Sequence, residues 1–223
     1  CSSLQSLDVS KFDTSINDDM YLMFGNNGQL TSLDLSNFRT SKCTDMAQMF
    51  EGDSKLTSID LTQFDTSLVE DMYAMFKLCE NAVIKGLENF DTKNVKDMSE
   101  MFYSCKKMTS LNLGSFITSE VADMSAMFAY CENVEKIDMN KFDTTNVLNM
   151  EQMFINCRKL TSLDVKDFKT GEVRIMSDMF AYCLSLTTLD VSKFDTANVG
   201  NMDRMFRIAR SEDRRVGKEC RSR

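Results

Sequence analysis

The chain is built from one 26-residue repeat. The pattern Met-x-x-Met-Phe recurs without insertion or deletion, and it ends at Phe24, Phe50, Phe76, Phe102, Phe128, Phe154, Phe180 and Phe206. A second column holds the other eight phenylalanines: Phe12, Phe38, Phe64, Phe90, Phe116, Phe142, Phe168 and Phe194. Because an uninterrupted repeat stacks each unit on the last with the same rise, residues 1–208 are predicted to form one solenoid of eight units, unit 1 being residues 1–26 and unit 8 residues 183–208.

Unit 7, residues 157–182, shows the predicted local structure. The alternation Leu163-Asp164-Val165 has period two and predicts a short strand whose Asp164 points outward. Apolar residues then recur at offsets 0, 3, 6, 7 and 10, the spacing of one face of an α-helix: Val173, Met176, Met179, Phe180 and Cys183. The sequence therefore predicts an α/β solenoid with a short parallel strand and a short helix in each unit.

Composition excludes several classes of function. The chain has no histidine, which removes the commonest general base and the usual zinc and haem ligand. The net charge of −8 argues against nucleic acid or an anionic membrane as a partner. No apolar run approaches the ~20 residues that span a bilayer. We find no acid, base or nucleophile cluster outside the repeat, so no enzymatic activity and no cofactor are predicted.

The unit pattern resembles a known family. It reads L-x-x-L-D-[LV]-S-x-F-D-T followed by V-x-D-M-x-x-M-F-x-x-C, and residues 183–202 carry it almost in full. Over residues 1–208 it is similar to the 26-residue bacterial surface-protein repeat, also called the BspA-like leucine-rich repeat. The resemblance implies a leucine-rich-repeat-like fold, a cell-surface or secreted setting that is often lipid-anchored, and a role in adhesion or recognition. It implies no catalytic residue.

The two ends of the sequence differ from the repeat. Residues 209–223 follow none of its columns, and they resemble a translated sequencing-adapter artefact; a natural basic tail is the alternative. The chain begins at Cys1 in the middle of a repeat, and neither end carries the polar cap that solenoids need. We therefore expect a fragment of a longer protein.

Cysteines form the first candidate site. They share one register, in which Asn27 and Asp53 stand for cysteine in units 2 and 3: Cys1, Cys79, Cys105, Cys131, Cys157 and Cys183. A disulfide or metal ladder is one interpretation, since consecutive coils lie ~5 Å apart. The other interpretation is that the cysteines are reduced thiols, buried at the end of the apolar face. Cys43 lies outside this register and takes the place of a valine that is predicted to be in the core of other units.

The outward strand position forms the candidate ligand-facing column. It contains Asp8, Asp34, Asp60, Gly86, Asn112, Asp138, Asp164 and Asp190. Stacked carboxylates repel one another, so the column is predicted either to attract cations or a basic partner surface, or to be a solvated face. The rest of this face is small and polar and has no aromatic residue, which argues against a tight protein-binding surface and for a spacer.

Two further features of the sequence each have two possible interpretations. The threonine column that begins at Thr14 suggests either turn and cap chemistry or an ice-binding array. In unit 4, Lys85 falls where an aliphatic residue belongs. Either a bulge at Gly86 exposes Lys85 and turns Ile84 inward, or the lysine snorkels from the core.

The functional prediction is a non-enzymatic repeat region at a cell surface or outside the cell. It either presents a face to a protein or glycan or acts as a stalk. An intracellular protein-interaction scaffold on the same solenoid is the alternative, and an ice- or cation-binding array is the weaker one.

Overall fold

The computed structural model describes residues 3–208, in which the eight units lie on one another as successive coils. Parallel bridges join each unit to the next at the residue before the first methionine of the repeat: Asp19, Asp45, Asp71, Asp97, Asp123, Asn149, Ile175 and Asn201. Like residues therefore lie on like residues. The rings of Phe102 and Phe128, for example, stack with centroids 5.9 Å apart, and those of Phe128 and Phe154 with centroids 5.4 Å apart.

The predicted helix in each unit is wrong. Within residues 3–208 the one helical element is a single 3-10 turn at Leu87–Asn89. In unit 4 the segment Asp97–Cys105 is instead a series of three β-turns, closed by bonds from the N–H groups of Met101, Tyr103 and Cys105 to the carbonyls of Met98, Glu100 and Phe102. We call this segment and its equivalents in the other units the turn ribbon.

Four other backbone N–H groups of the turn ribbon explain why no helix forms. In unit 4 they donate to the next coil at 2.7–3.1 Å, from Met98, Glu100, Phe102 and Ser104 to Asp123, Ser125, Met127 and Ala129. Glu100 and Ser104 have φ angles of 57° and 60°, as the third residue of a type II turn requires. The first and third turns run from Met98 to Met101 and from Phe102 to Cys105, so the apolar residues stand at the ends of these two turns. The resulting spacing is one that a helix face shares.

Strands occupy the opposite side of the coils in the middle of the stack. They are β1 (Ser58–Asp60), β2 (Val83–Lys85), β3 (Ser110–Asn112) and β4 (Lys136–Asp138). β1 pairs with β2 and β3 with β4, both in parallel. The prediction of a strand in every unit therefore holds in units 3 to 6 alone among the described coils. We call these strands and the equivalent segments of other units the strand side.

Unit 4 is shifted by one residue on the strand side. Ile84 pairs with Ile59 at a spacing of 25, whereas Ile137 pairs with Leu111 at a spacing of 26. Gly86 absorbs the difference with a φ of 90°. Lys85 is exposed and Ile84 packs against the core, so the bulge at Gly86 is the correct one of the two predicted alternatives.

The core lies between the turn ribbon and the strand side. It contains the ribbon methionines and phenylalanines together with the aliphatic residues of the strand side. In unit 4, Met98, Met101 and Phe102 have no exposed surface. Burial of whole side chains at the contacts between units is what stabilises a stack in which no coil encloses its own core.

Candidate functional site

The aspartate column (Asp8, Asp34, Asp60, Asn112, Asp138, Asp164 and Asp190) lies where the strand side passes into the next turn. At each of these seven residues one side-chain oxygen accepts a hydrogen bond from the backbone N–H two residues later. Ser36 donates to Asp34 at 3.0 Å and Thr62 to Asp60 at 3.1 Å. The same bond runs to Asn112, so the residue type is set partly by turn geometry. The column has a structural role in addition to its charge.

These hydrogen bonds keep the carboxylates ionised. The pKa of Asp8, Asp60 and Asp190 is lowered because the side chain and then the backbone N–H of the residue two positions later donate to the carboxylate. The pKa of Asp164 is lowered first by the side chain of Lys166, which lies 2.9 Å away. A carboxylate of this kind holds its charge at neutral and mildly acidic pH.

The structure places a lysine in the aspartate column, which the sequence prediction missed. The predicted member of unit 4 was Gly86, but the shifted register sets Lys85 beside Asp60. The Lys85 ammonium lies 4.0 Å from Asp60, and both side chains are more than half exposed. Lys85 and the neutral Asn112 therefore divide the column into an acidic part in units 1 to 3 and another in units 6 to 8.

A groove of about 730 Å³ runs along the second of these parts. Its charged lining is formed by Asp138, Asp164, Asp167, Asp190, Lys136 and Lys166. Its apolar lining includes Ile137, Leu163 and Leu189. The strand side of units 6 to 8 thus combines an excess of carboxylates with an apolar floor, and we call it the acidic groove.

A second set of carboxylates was not predicted. It occupies the bridge positions before the turn ribbon: Asp19, Asp45, Asp71, Asp97 and Asp123. Burial raises the pKa of Asp71, and the neighbouring carboxylates of Asp97 and Asp45 raise it further. Asn149 ends the set and donates its amide to Asp123 at 3.1 Å. The signal in the sequence was the aspartate of V-x-D-M, which recurs from unit 1 to unit 5.

The cysteine column is a row of buried thiols. The described members are free, and in units 4 to 8 each thiol donates to the carbonyl of a phenylalanine 29 residues earlier, as Cys105 does to Phe76 at 3.2 Å. Burial raises the pKa of Cys131 and Cys183 to about 12. Thiols held in this way are poor nucleophiles and poor metal ligands, so the structure favours the core interpretation. Cys1 lies outside the described residues.

Asn27 and Asp53 break that column. The backbone N–H of Asn27 donates to Asp53 Oδ1 at 2.8 Å, whereas Asp53 Oδ2 and Asn27 Oδ1 have no partner among residues 3–208. Burial raises the pKa of Asp53 to about 7. Protonation near neutral pH therefore removes the charge from this buried carboxyl group.

Seven of the eight threonines of the threonine column are buried, and Thr196 in the last coil is the exposed one, so the column cannot be an ice-binding surface. The Thr66 hydroxyl donates to the carbonyl of Asp91 at 3.0 Å and accepts from the N–H of the same residue at 2.9 Å. Thr40 and Thr118 make the same pair of bonds to the next coil. These hydroxyls are structural links between coils, a role that neither the ice-binding nor the turn and cap interpretation had predicted.

Neither a metal-binding cluster nor a membrane-spanning helix occurs among the described residues. Within residues 3–208, no three side chains of the metal-binding types cluster closely enough to hold an ion. In the same span no helix has the length and apolar character needed to cross a membrane.

The coils and their exposed strand side define a repeat protein in which unit stacks directly on unit. The chain belongs to the family described as "Mycoplasma protein of unknown function, DUF285", whose pattern matches residues 1–83, 71–164 and 133–218. No curated protein matches the chain. Among solved structures it is similar to the functional domain of InlJ from Listeria monocytogenes, described as including a cysteine ladder, at 13% identity and a TM-score of 0.28. The match covers 79% of this chain and 41% of that one, and at this TM-score it carries no argument.

Proposed function

We propose that the chain is a non-enzymatic scaffold, displayed at a cell surface or outside the cell, whose acidic groove binds a basic segment of a protein partner. The observation that carries the proposal is the lining of the groove, with four carboxylates and two ammonium groups over an apolar floor. The resemblance of the repeat to the BspA-like surface family supports the setting.

The chemistry of the acidic groove suits arginine and lysine. Carboxylates on successive coils offer oxygens to guanidinium groups, which bind them in bidentate fashion. Ile137, Leu163 and Leu189 provide apolar surface for the alkyl stems of the same side chains. Because most of the charged groups are exposed, we expect binding to weaken as ionic strength rises.

The same geometry is poorly suited to catalysis. A general acid at neutral pH needs a pKa near 7, whereas the pKa values of Asp164 and Asp190 are lowered by their hydrogen bonds. Asp53, whose pKa is raised to about 7, is fully buried and away from the groove lining. These observations support a scaffold rather than an enzyme.

The test removes charge from the groove without removing the turn hydrogen bonds. The variant combines Asp138→Asn, Asp164→Asn and Asp190→Asn, because Asn112 occupies the same column and keeps the bond to the backbone. The matched control combines Asp8→Asn, Asp34→Asn and Asp60→Asn, which remove the same charge from the same column outside the groove. The probe is a fluorescent octa-arginine peptide, followed by anisotropy at low salt.

We expect the groove variant to weaken binding at least about tenfold, which corresponds to about 1.4 kcal/mol, and the control to change it less than about twofold. Equal weakening in both variants would mean that the peptide reads only net charge, and the groove proposal would fail. Preferential binding of an uncharged glycan, with no response to octa-arginine, would also contradict it.

The setting has its own test. Intact producing cells are treated with a protease that does not enter them, and the chain is followed by immunoblot beside a cytoplasmic marker. Loss of the chain with survival of the marker is the expected result. Survival of both would contradict a surface location and favour the intracellular scaffold.

A further inference from the structure

The repeat alternates between two kinds of unit at several of its positions. From unit 4 to unit 8 the residue before the core valine is in turn Asn94, Glu120, Asn146, Glu172 and Asn198. Two residues after the cysteine column, units 3 to 7 have in turn Lys55, Asn81, Lys107, Asn133 and Lys159. Asparagine therefore marks the even units at both positions, and over these coils the full period of the sequence is two units.

The asparagines tie each even coil to the odd coil before it. The side-chain amides of Asn133 and Asn146 in unit 6 donate at 2.8 Å to the backbone carbonyls of Lys106 and Ser119 in unit 5. Within residues 3–208, every hydrogen bond from an asparagine side chain to the backbone of another coil runs from an even coil to the preceding odd one; the other donors include Asn37, Asn81, Asn94 and Asn198. Units 1 and 2, 3 and 4, 5 and 6, and 7 and 8 are thereby joined as coil pairs, and we call the contacts between pairs boundaries.

The strand side follows the same division. The pairing of β1 with β2 joins units 3 and 4, that of β3 with β4 joins units 5 and 6, and in the described part of the chain no strand pairing joins β2 to β3. Units 7 and 8 are joined instead by Arg204, whose guanidinium lies 2.8 Å from the buried carboxylate of Asp178. Across the boundary between units 4 and 5, the ammonium of Lys106 lies 2.7 Å from Glu80 in an ion pair of partly exposed side chains.

The contacts between coils therefore alternate in strength. Ribbon hydrogen bonds and the links from the threonine column recur at every contact, so the difference lies in what each coil pair adds. Separating the coils of a pair also breaks the asparagine bonds and, in units 3 to 6, the strand pairing. Opening a boundary breaks exposed side-chain pairs such as Lys106 with Glu80, which contribute little. In a solenoid whose stability is a sum over neighbour contacts, the boundaries are the planes that open first.

We propose that the coil pair is the unit in which this stack yields, so that tension along its axis lengthens the chain by two coils at a time and leaves the remaining pairs folded. When the contact within a loaded pair breaks, the second coil of that pair is held by a boundary alone. The boundary opens at lower force, so the second coil follows at once and each step contains both. This gives the repeat a mechanical role that does not depend on the acidic groove, that of a stalk that extends in fixed increments.

The first experiment stretches single molecules of the full chain in an optical trap, with a handle at each end. An extended residue spans about 3.3–3.6 Å and two folded coils occupy about 10 Å, so the release of two units lengthens the chain by about 160–180 Å and the release of one unit by about 80–90 Å. We expect steps of the larger size. Steps of the smaller size throughout, or one step that releases all units together, would overturn the proposal.

Two variants assign the cause of the pairing. Asn133→Ala with Asn146→Ala removes both asparagine bonds between units 5 and 6, and the two-unit step of this pair is expected to split into single-unit steps in most traces. The control, Lys107→Ala with Glu120→Ala, changes the same two columns in unit 5 and is expected to keep the steps of the parent chain.

Circular dichroism checks that both variants are folded, and Asn146→Ala alone serves if the double variant is not. An asparagine variant that yields in the same steps as the parent chain overturns the assignment of the pairing to these bonds. Equal splitting of steps in the asparagine variant and the control overturns it as well.

Discussion

The turn ribbon and the strand side belong to the same coils but are held together differently. Bridges join the ribbon at every contact from unit 1 to unit 8, whereas regular strand pairing on the other side is confined to β1 with β2 and β3 with β4. The ribbon places its methionines and phenylalanines in the core, and the strand side exposes a column that contains aspartate, lysine and asparagine. Backbone pairing on one side thus leaves the other free to vary its surface chemistry.

Each side contains one irregularity, and the two are accommodated by different means. At the end of the ribbon, Asp53 places a carboxyl group in a column of thiols, and the cost is a buried oxygen without a partner among the described residues. On the strand side, Gly86 shifts the chain by one residue, and the displaced Lys85 reaches solvent. The ribbon keeps its register and accommodates a change of residue type, whereas the strand side accommodates a change of register.

The largest expected loss of stability comes from a substitution in the middle of the turn ribbon. Phe102 is fully buried and stacks on Phe76 and Phe128, with centroids 5.6 and 5.9 Å away. Phe102→Ala is expected to lower the free energy of unfolding by about 3–5 kcal/mol, because it leaves a cavity between two units. Urea unfolding followed by circular dichroism measures the change.

Phe206 is the matched control for that substitution. It stacks on Phe180 alone, and 38% of its surface is exposed. Phe206→Ala is expected to cost less than half as much as Phe102→Ala. Equal costs would mean that stacking across unit contacts is not what stabilises the ribbon.

The second prediction concerns pH and the irregularity at Asp53. Its pKa is raised to about 7 in the folded chain from an ordinary 3.8, so the folded chain holds the Asp53 proton more tightly than the unfolded chain does. The contribution of this proton to folding stability is fully present below the unfolded pKa and is lost as pH rises through the folded pKa. The difference corresponds to at most about 4 kcal/mol. The chain is therefore expected to lose stability between about pH 4 and pH 8 by this route.

Two variants isolate Asp53 from the other carboxylates. Asp53→Asn cannot titrate, and Asp53→Cys extends the cysteine column into unit 3. Melting temperatures of all three chains are compared from pH 4 to pH 8. The melting temperature of the parent chain should fall relative to those of both variants as pH rises. Parallel curves of melting temperature against pH would show that Asp53 is ionised in the folded chain throughout.

Much of the packing could be predicted from the sequence. The core position of Cys43 and the outward column of aspartates follow from residue type at a fixed period. The two phenylalanine columns do so as well, and they are buried except at Phe12, Phe194 and Phe206 in the first and last units. Period alone, however, does not distinguish a helix from consecutive turns, since both return to the same face every three or four residues. The helix prediction failed for that reason.

A finer signal was present in the ribbon. Left-handed backbone recurs at two ribbon positions in each of units 1 to 7, and at the second of them the sequence has Asn26, Gly52 and Asn156. Glycine and asparagine are the residues that adopt this conformation most readily. Their recurrence in one column indicates turns rather than a helix. The acidic groove had no such signal, because it depends on how the coils of units 6 to 8 lie relative to one another.

The smallest expected loss of stability comes from a substitution at Gly86, the residue that accommodates the one-residue shift of the strand side. A Cβ at residue 86 would lie 2.6 Å from the backbone of Leu61 and Thr62, and the φ of 90° would strain any side chain. Gly86→Ala is expected to cost about 2 kcal/mol. Gly171→Ala, where a Cβ would meet nothing nearer than 3.8 Å, should stay within about 0.5 kcal/mol of the parent chain.

Hydrogen exchange shows where the cost of Gly86→Ala falls. The N–H of Leu61 donates to Lys85 across the strand side, and the N–H of Ala74 donates to Ser99 across the ribbon between the same two units. If the two sides are held independently, exchange quickens at Leu61 and stays slow at Ala74. Equal acceleration at both amides would mean that the coil moves as one body, and that the ribbon does not hold the register of the stack by itself.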